Sequence, residues 1–215
     1  MSNWVLEDLQ CNGLKIYQSK DGYRFTSDAV ALANFVSIKN DGVLVDLCSG
    51  SGVIGILANA KNKIKHIYMV ELQKSLADMC RQTVDYNQIK NITILNSKLQ
   101  NVHKLLKNTN IDTVVCNPPY YKKESKARIA NTEIQIARNE IELTLEDVIL
   151  EASKLLKDGG RFYMCHKISR LADIIVYLRK YGLEPKELKI LTESKNDKTV
   201  LIKAIKKGEV GLKLV

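Results

Sequence analysis

The stretch DLCSGSGVIG, residues 46–55, restricts the fold more than any other part of the chain. It completes the apolar run GVLVDLC (42–48), which has the pattern of a buried strand. It leads into SGVIGILANAKN (51–62), which reads as a helix. Gly50, Gly52 and Gly55 satisfy G-x-G-x-x-G in the strand-to-helix context that gives the pattern its meaning. Glycine permits the tight turn and lets the backbone approach a ligand closely. Glu71 closes the next apolar run, HIYMVEL (66–72), 21 residues after Gly50. A carboxylate there can accept hydrogen bonds from two ribose hydroxyls. The pattern therefore predicts a nucleoside-bearing cofactor at the C-terminal ends of the first strands.

The remaining chain repeats the alternation. QKSLADMCRQTVDYNQ (73–88) reads as a helix, NITILN (91–96) and IDTVVCN (111–117) as strands, and LEDVILEASKLL (145–156) as a helix capped by Thr144 and Asp147. DGG (158–160) is expected to turn the chain into a fifth strand, RFYMC (161–165). LKILTES and TVLIKAI, either side of KND, suggest an antiparallel pair. Upstream, TSDAVALANFVS (26–37) reads as a helix over the binding edge. Strand–helix alternation implies an α/β fold with a mostly parallel sheet. With 215 residues, 45% hydrophobic and 27% charged, a single domain over 1–215 is expected. Residues 1–40 would be an N-terminal lid and helix segment.

The glycine pattern alone allows a nicotinamide dinucleotide, and hence an oxidoreductase. Asp46, four residues before Gly50, argues against it, because a carboxylate repels a pyrophosphate and suits a cationic ligand. S-adenosylmethionine carries a sulfonium and an ammonium and no phosphate. D-x-x-x-G-x-G, with an acidic residue ending the second strand, resembles the cofactor motifs of the class I methyltransferases. That resemblance implies a Rossmann-like, seven-stranded, mostly parallel sheet with an antiparallel C-terminal hairpin and helices on both faces. It implies that Asp46, Gly50 and Gly52 line the methionine side, that Glu71 meets the ribose, and that Asn96 with Ser97 meets the adenine.

CNPPYYKK (116–123) ends the fourth strand with two prolines, which cannot continue a sheet ladder. Asn117 falls at the carboxyl edge of the sheet, where ligands bind in open α/β folds, and so borders the cofactor as well. Pro118 and Pro119 stiffen the backbone beyond it. The Asn117 side-chain oxygen and the Pro118 carbonyl make two acceptors for the two hydrogens of an –NH₂ group. Tyr120 offers a flat face for stacking. Such acceptors favour a pyramidal amine and stabilise the charge that develops on attack, so positioning and preorganised electrostatics carry the rate. A base within structured nucleic acid must be flipped out to reach them. (D/N)-P-P-(Y/F) resembles the fourth motif of amino-methyltransferases, which act on adenine, cytosine, guanine or a release-factor glutamine.

YRFTSDAVALANF, DLCSGSGVIGIL, NPPYY and ARNE (137–140) together resemble the small bacterial methyltransferases of adenine 37 in valine tRNA, over about residues 8–206. That resemblance implies N6-methyladenosine beside the anticodon, S-adenosylhomocysteine as second product, and tRNA as partner. Arg24, Phe25, Thr26, Ser27 and Asp28 would close over the cofactor. ARNE departs from the family's ARHE. The long connection 121–143 carries Lys122, Lys123, Lys126, Arg128 and Arg138, and is expected to grip RNA phosphates. Lys203, Lys206, Lys207 and Lys213 form a second candidate contact. Another rRNA or tRNA amine, or a release-factor glutamine, is the alternative target.

An excess of 33 Lys+Arg over 24 Asp+Glu, net +9, favours an anionic partner. The five cysteines include no C-x-x-C pair, and His66, His103 and His166 have no metal-ligand spacing, so no metal is expected. No signal segment or bilayer-spanning apolar run is visible. A cytoplasmic monomer is the expectation.

Overall fold

The computed structural model describes residues 3–22, 24–107, 109–118, 120, 143–191 and 198–215. Its main sheet contains β3 (Gly42–Leu47), β4 (Ile64–Glu71), β5 (Ile92–Asn96), β6 (Ile111–Cys116), β7 (Leu156–Lys167), β8 (Leu183–Leu191), β9 (Thr199–Lys206) and β10 (Lys213–Leu214). The spatial order is β10-β8-β9-β7-β6-β3-β4-β5. Strands β3 to β7 run parallel, and β9 enters antiparallel between β7 and β8. The expected seven strands are present in the expected arrangement. An eighth, β10, adds two residues parallel to the outer edge of β8.

Alternate residues of each strand feed two separate cores. Val45, Leu47, Val114, Cys116, Phe162 and Met164 pack on one face against α5 (Leu145–Leu155) and α6 (Leu171–Lys180), with the short α4 (Val102–Leu105). Leu44, Val115, Tyr163 and Cys165 pack on the other against α1 (Ser27–Phe35), α2 (Val53–Lys61) and α3 (Lys74–Tyr86). The capping box at α5 forms as read: the Thr144 hydroxyl accepts from the Asp147 N–H at 3.1 Å, and the Asp147 carboxylate accepts from the Thr144 N–H at 3.0 Å. No helix among the described residues is long and apolar enough to cross a membrane.

Two local expectations need correction. Residues 1–40 hold more than a lid and a helix: β1 (Trp4–Asp8) and β2 (Lys15–Ser19) form an antiparallel hairpin before α1. Its signal was Asn12-Gly13, both at positive φ, between two short apolar-rich runs. The outer edge of β2 is covered by side chains of α3 and its C-cap, with Thr83 Oγ1 and Asn87 Oδ1 each accepting a backbone N–H at 3.0 Å. The DGG segment does not separate a helix from a strand. It lies within β7 as an irregularity, where Ile111 pairs with Leu156 but Thr113 pairs with Arg161. Gly159, at φ +75, supplies the backbone shape this excursion requires.

Candidate active site

After Leu47 the chain enters three left-handed positions in five residues: Cys48 (φ 60), Gly50 (φ 55) and Gly52 (φ 89). Gly52 caps α2, and a Cβ there would lie 2.5 Å from the buried Cys80 sulfur, so the turn and its packing both demand glycine. The two predicted carboxylates brace this loop from beneath. Asp46 Oδ2 accepts the Gly55 N–H at 3.0 Å, and Glu71 Oε2 accepts the Gly50 N–H at 2.8 Å. Glu71 Oε1 accepts the Gln73 N–H at 2.8 Å, which fixes the start of α3.

Asp46 is fully buried. Burial pushes its carboxyl up to about 8, the Gly55 N–H opposes the shift, and the neighbouring Glu71 adds to it. Asp46 Oδ1, Ser49 Oγ and Ser51 Oγ are buried without a hydrogen-bond partner among the described residues. Orphaned polar atoms are rare in folded proteins. Three in one glycine loop, one of them a carboxylate oxygen, suit a ligand that brings N–H donors and positive charge. The ammonium end of S-adenosylmethionine meets that requirement and a pyrophosphate does not.

Asn96, expected near the adenine, is held by its amide nitrogen. Its Nδ2 donates to the backbone oxygens of Glu71 and Leu72, both at 2.9 Å. The amide nitrogen therefore holds the end of β4 in place. An aspartate at this point could not make those two donations.

The second half of the site lies where β6 and β7 end. Leu47 pairs with Cys116 and Cys116 with Met164, so Asn117 stands between the glycine loop and Cys165. Asn117 Oδ1 accepts from the Tyr120 hydroxyl at 2.5 Å and from the Cys165 thiol at 2.8 Å. Burial pushes Cys165 up to about 12, against a smaller opposing effect of the Tyr120 hydrogen bond, which keeps the sulfur protonated as a donor. The Tyr120 ring packs against the second core. His166 lies 5.4 Å away between ring centroids, and Lys167 Nζ lies 5.3 Å from the ring centroid. Burial, with Arg170 nearby, pushes His166 down to about 4, so a neutral imidazole flanks the ring at neutral pH. Pro118 is buried.

Of the expected lid, Arg24 pairs with Glu7 and the Phe25 N–H donates to Gln18 Oε1 at 3.1 Å, so the segment is seated on the β1/β2 hairpin. Thr26 caps α1 without a side-chain cap bond. Asp28 points to the Asn117 half: its Oδ2 accepts from Thr199 Oγ1 at 3.3 Å and lies 3.5 Å from the Tyr120 hydroxyl. Cys165, His166 and Thr199 carried no motif. Cys165 and His166 lie near the end of β7, and Thr199 starts β9.

Pro119, Lys122, Lys123, Lys126, Arg128, Arg138 and the ARNE segment lie outside the described residues. The basic C-terminal set is not a uniform surface. Lys203 pairs with Glu187, and Lys207 with Asp158 at 2.7 Å. Lys206 Nζ donates to the carbonyls of Ser153 and Leu156 at 2.7 and 2.6 Å. Lys206 thus ties β9 to the end of α5, because the last carbonyls of a helix need donors. Lys213 is exposed.

A family model described as the methyltransferase small domain matches residues 25–171. The tRNA1(Val) (adenine(37)-N6)-methyltransferase of Shewanella frigidimarina is 24% identical over 184 residues, covering 83% of this chain and 68% of that protein. The protein of the same name from Porphyromonas gingivalis is 28% identical over 145 residues, covering 65% of this chain. That match spans 55% of the relative, little more than half its length. Among solved structures, the tRNA m1G37 methyltransferase of M. jannaschii superposes with a TM-score of 0.67 at 15% identity, covering 96% of this chain and 58% of that one. The geranyl diphosphate C-methyltransferase of Streptomyces coelicolor does so with 0.60 at 14% identity, covering 84% and 78%. At such identities these two likenesses describe the fold.

Proposed function

This chain belongs to the methyltransferase small domain family, and on that premise we propose that it methylates the exocyclic amine of an adenine in tRNA, at position 37 beside the anticodon of valine tRNA. The cofactor is S-adenosylmethionine, which supplies an electrophilic methyl on a sulfonium. The observation that carries the reading is the placement of Asn117: an amide oxygen at the carboxyl end of β6, directly beside the braced glycine loop on β3.

The chain's own groups divide the work. The glycine loop, Asp46 and Glu71 hold and orient the cofactor. Asp46 also offers a carboxylate to its ammonium. Asn117 Oδ1 and the Pro118 carbonyl accept the amine hydrogens and withdraw the nitrogen lone pair from conjugation with the ring. Tyr120 stacks on the base. Burial makes His166 a weak base and keeps Cys165 a thiol, so neither is suited to take the amine proton, which passes to water after attack. Lys122, Lys123, Lys126, Arg128 and Arg138 supply the charge that holds the RNA backbone. The names of the curated relatives support the tRNA adenine as target, and the net charge of +9 supports a nucleic-acid partner.

The test uses purified protein, labelled S-adenosylmethionine and unmodified tRNA, with the product digested to nucleosides and identified by mass spectrometry. N6-methyladenosine mapped beside the anticodon of valine tRNA is the expected result. Methyl transfer to a different base or to a protein glutamine amide would remove the tRNA adenine reading and keep the amine chemistry.

A further inference from the structure

A carbonyl oxygen has two lone pairs. In this structure both lone pairs of Asn117 Oδ1 are engaged, by the Tyr120 hydroxyl at 2.5 Å and the Cys165 thiol at 2.8 Å. An arriving amine meets a filled acceptor, so one donor must turn away before Asn117 can act. The surroundings identify which one. Besides Asn117, the Tyr120 hydroxyl has the Cys165 sulfur at 3.0 Å, a weak acceptor, and the carboxylate oxygen Asp28 Oδ2 at 3.5 Å, a strong one. A chain of donors leaves Asp28 as the acceptor at its end. Lys167 Nζ, which can only donate, gives a hydrogen bond to Thr199 Oγ1 at 3.3 Å. Thr199 directs its own proton to Asp28 Oδ2 at 3.3 Å. Asp28 comes from the first turn of α1 and Thr199 from the first residue of β9, so the fold brings this carboxylate to Tyr120 from outside the NPPY loop.

Resting on the reading of Asn117 as the amine acceptor, we propose that Asp28 is a positioning residue that receives the Tyr120 hydrogen bond when the target base enters. The hydroxyl swings about its C–O bond from Asn117 to Asp28. No covalent bond breaks and no proton changes owner. One lone pair of Asn117 Oδ1 is freed for the target N–H, and the ring stays where a base can stack on it. The device also selects. A target amine replaces the departing O–H with an N–H, whereas a carbonyl at the same place would leave the freed lone pair facing another lone pair.

Two measurements test this. The first needs no substrate: a double-mutant cycle of Asp28→Ala and Tyr120→Phe on the unfolding equilibrium, run in the wild-type background and in Asn117→Ala. With Asn117 present the coupling is expected to be small, because the hydroxyl bonds Asn117. With Asn117 removed the hydroxyl turns to Asp28 and the coupling rises by about tenfold in the folding equilibrium. Equal coupling in both backgrounds overturns the proposal. The second measurement also serves if Asn117→Ala does not fold. Asp28→Ala is expected to slow single-turnover methyl transfer to tRNA by about tenfold, to leave S-adenosylhomocysteine affinity unchanged, and to cost nothing once Tyr120→Phe has removed the hydroxyl. An equal loss in both tyrosine and phenylalanine backgrounds, or a parallel loss of cofactor affinity, overturns it. Absence of transfer by the wild type would instead sink the proposed function, and the unfolding cycle would then decide the role of Asp28.

Discussion

The two halves of the carboxyl edge are built by different means. On the β3–β4 side, carboxylates bond to backbone: Asp46 to Gly55 and Glu71 to Gly50 and Gln73. On the β6–β7 side, side chains bond to side chains: Tyr120 and Cys165 to Asn117, and Thr199 to Asp28. The first half draws on two neighbouring strand–loop units, and the second on α1, β6, β7 and β9. A backbone-braced cradle is rigid before any ligand arrives. A side-chain network can exchange partners without moving the main chain, which under the proposed function suits the half that admits a base.

The sharpest separation of the halves is Asn117→Ala. It should lower methyl transfer by about 10²–10³-fold, the effect typical of losing one preorganised stabilising group, while S-adenosylhomocysteine affinity stays within about twofold. Single-turnover kinetics beside calorimetric binding checks this, and a matching loss of affinity would merge the two halves into one. Gly52→Ala should do the reverse. Its Cβ would meet Cys80 at 2.5 Å and its φ of 89 is left-handed, so overpacking of about 1–3 kcal/mol is expected, together with loss of cofactor affinity. For a chain of this size that is a fall of several degrees in Tm. An unchanged Tm would mean that the loop is looser than its packing suggests.

A pH dependence should be confined to the cradle. Asp46 titrates near 8 when folded and ligand-free, against 3.8 for an ordinary Asp. The folded state therefore holds this proton more tightly than the unfolded chain. Its contribution to stability is complete below the unfolded value and is lost as pH rises through about 8. A ligand ammonium prefers the ionised carboxylate, so S-adenosylhomocysteine affinity should climb by roughly tenfold per pH unit up to about 8 and then level off. Asp46→Asn should flatten both curves, and calorimetric titrations from pH 6 to 9 decide it. A flat wild-type profile would show that Asp46 does not meet the ammonium.

The cradle was legible because its parts are local and periodic. Gly50, Gly52 and Asp46 lie in one short stretch, and Glu71 ends the next strand, so spacing alone placed them together. The hairpin at β1 and β2 was missed because neither strand has a long apolar run, although Asn12-Gly13 marked its turn. Asn96 was assigned by its position at a strand end, but the amide's ability to donate set its actual bonds. Asp28 was grouped with the cofactor because it sits in the upstream segment; its contact with Tyr120 had no signal in the sequence.

The sequence by itself determined the chemistry of the edge: a glycine loop, two carboxylates and an Asn-Pro-Pro-Tyr at the ends of three strands, which in a parallel sheet all open on one side. Hydrophobic period and residue spacing are properties of the chain, and they survive without coordinates. Only the tertiary structure decided that Tyr120, Cys165, Asp28 and Thr199 share one hydrogen-bond network around Asn117. Hydrogen bonds require partners within about 3.5 Å, and residues as far apart in sequence as Asp28 and Thr199 come that close only when α1 packs across the end of β9.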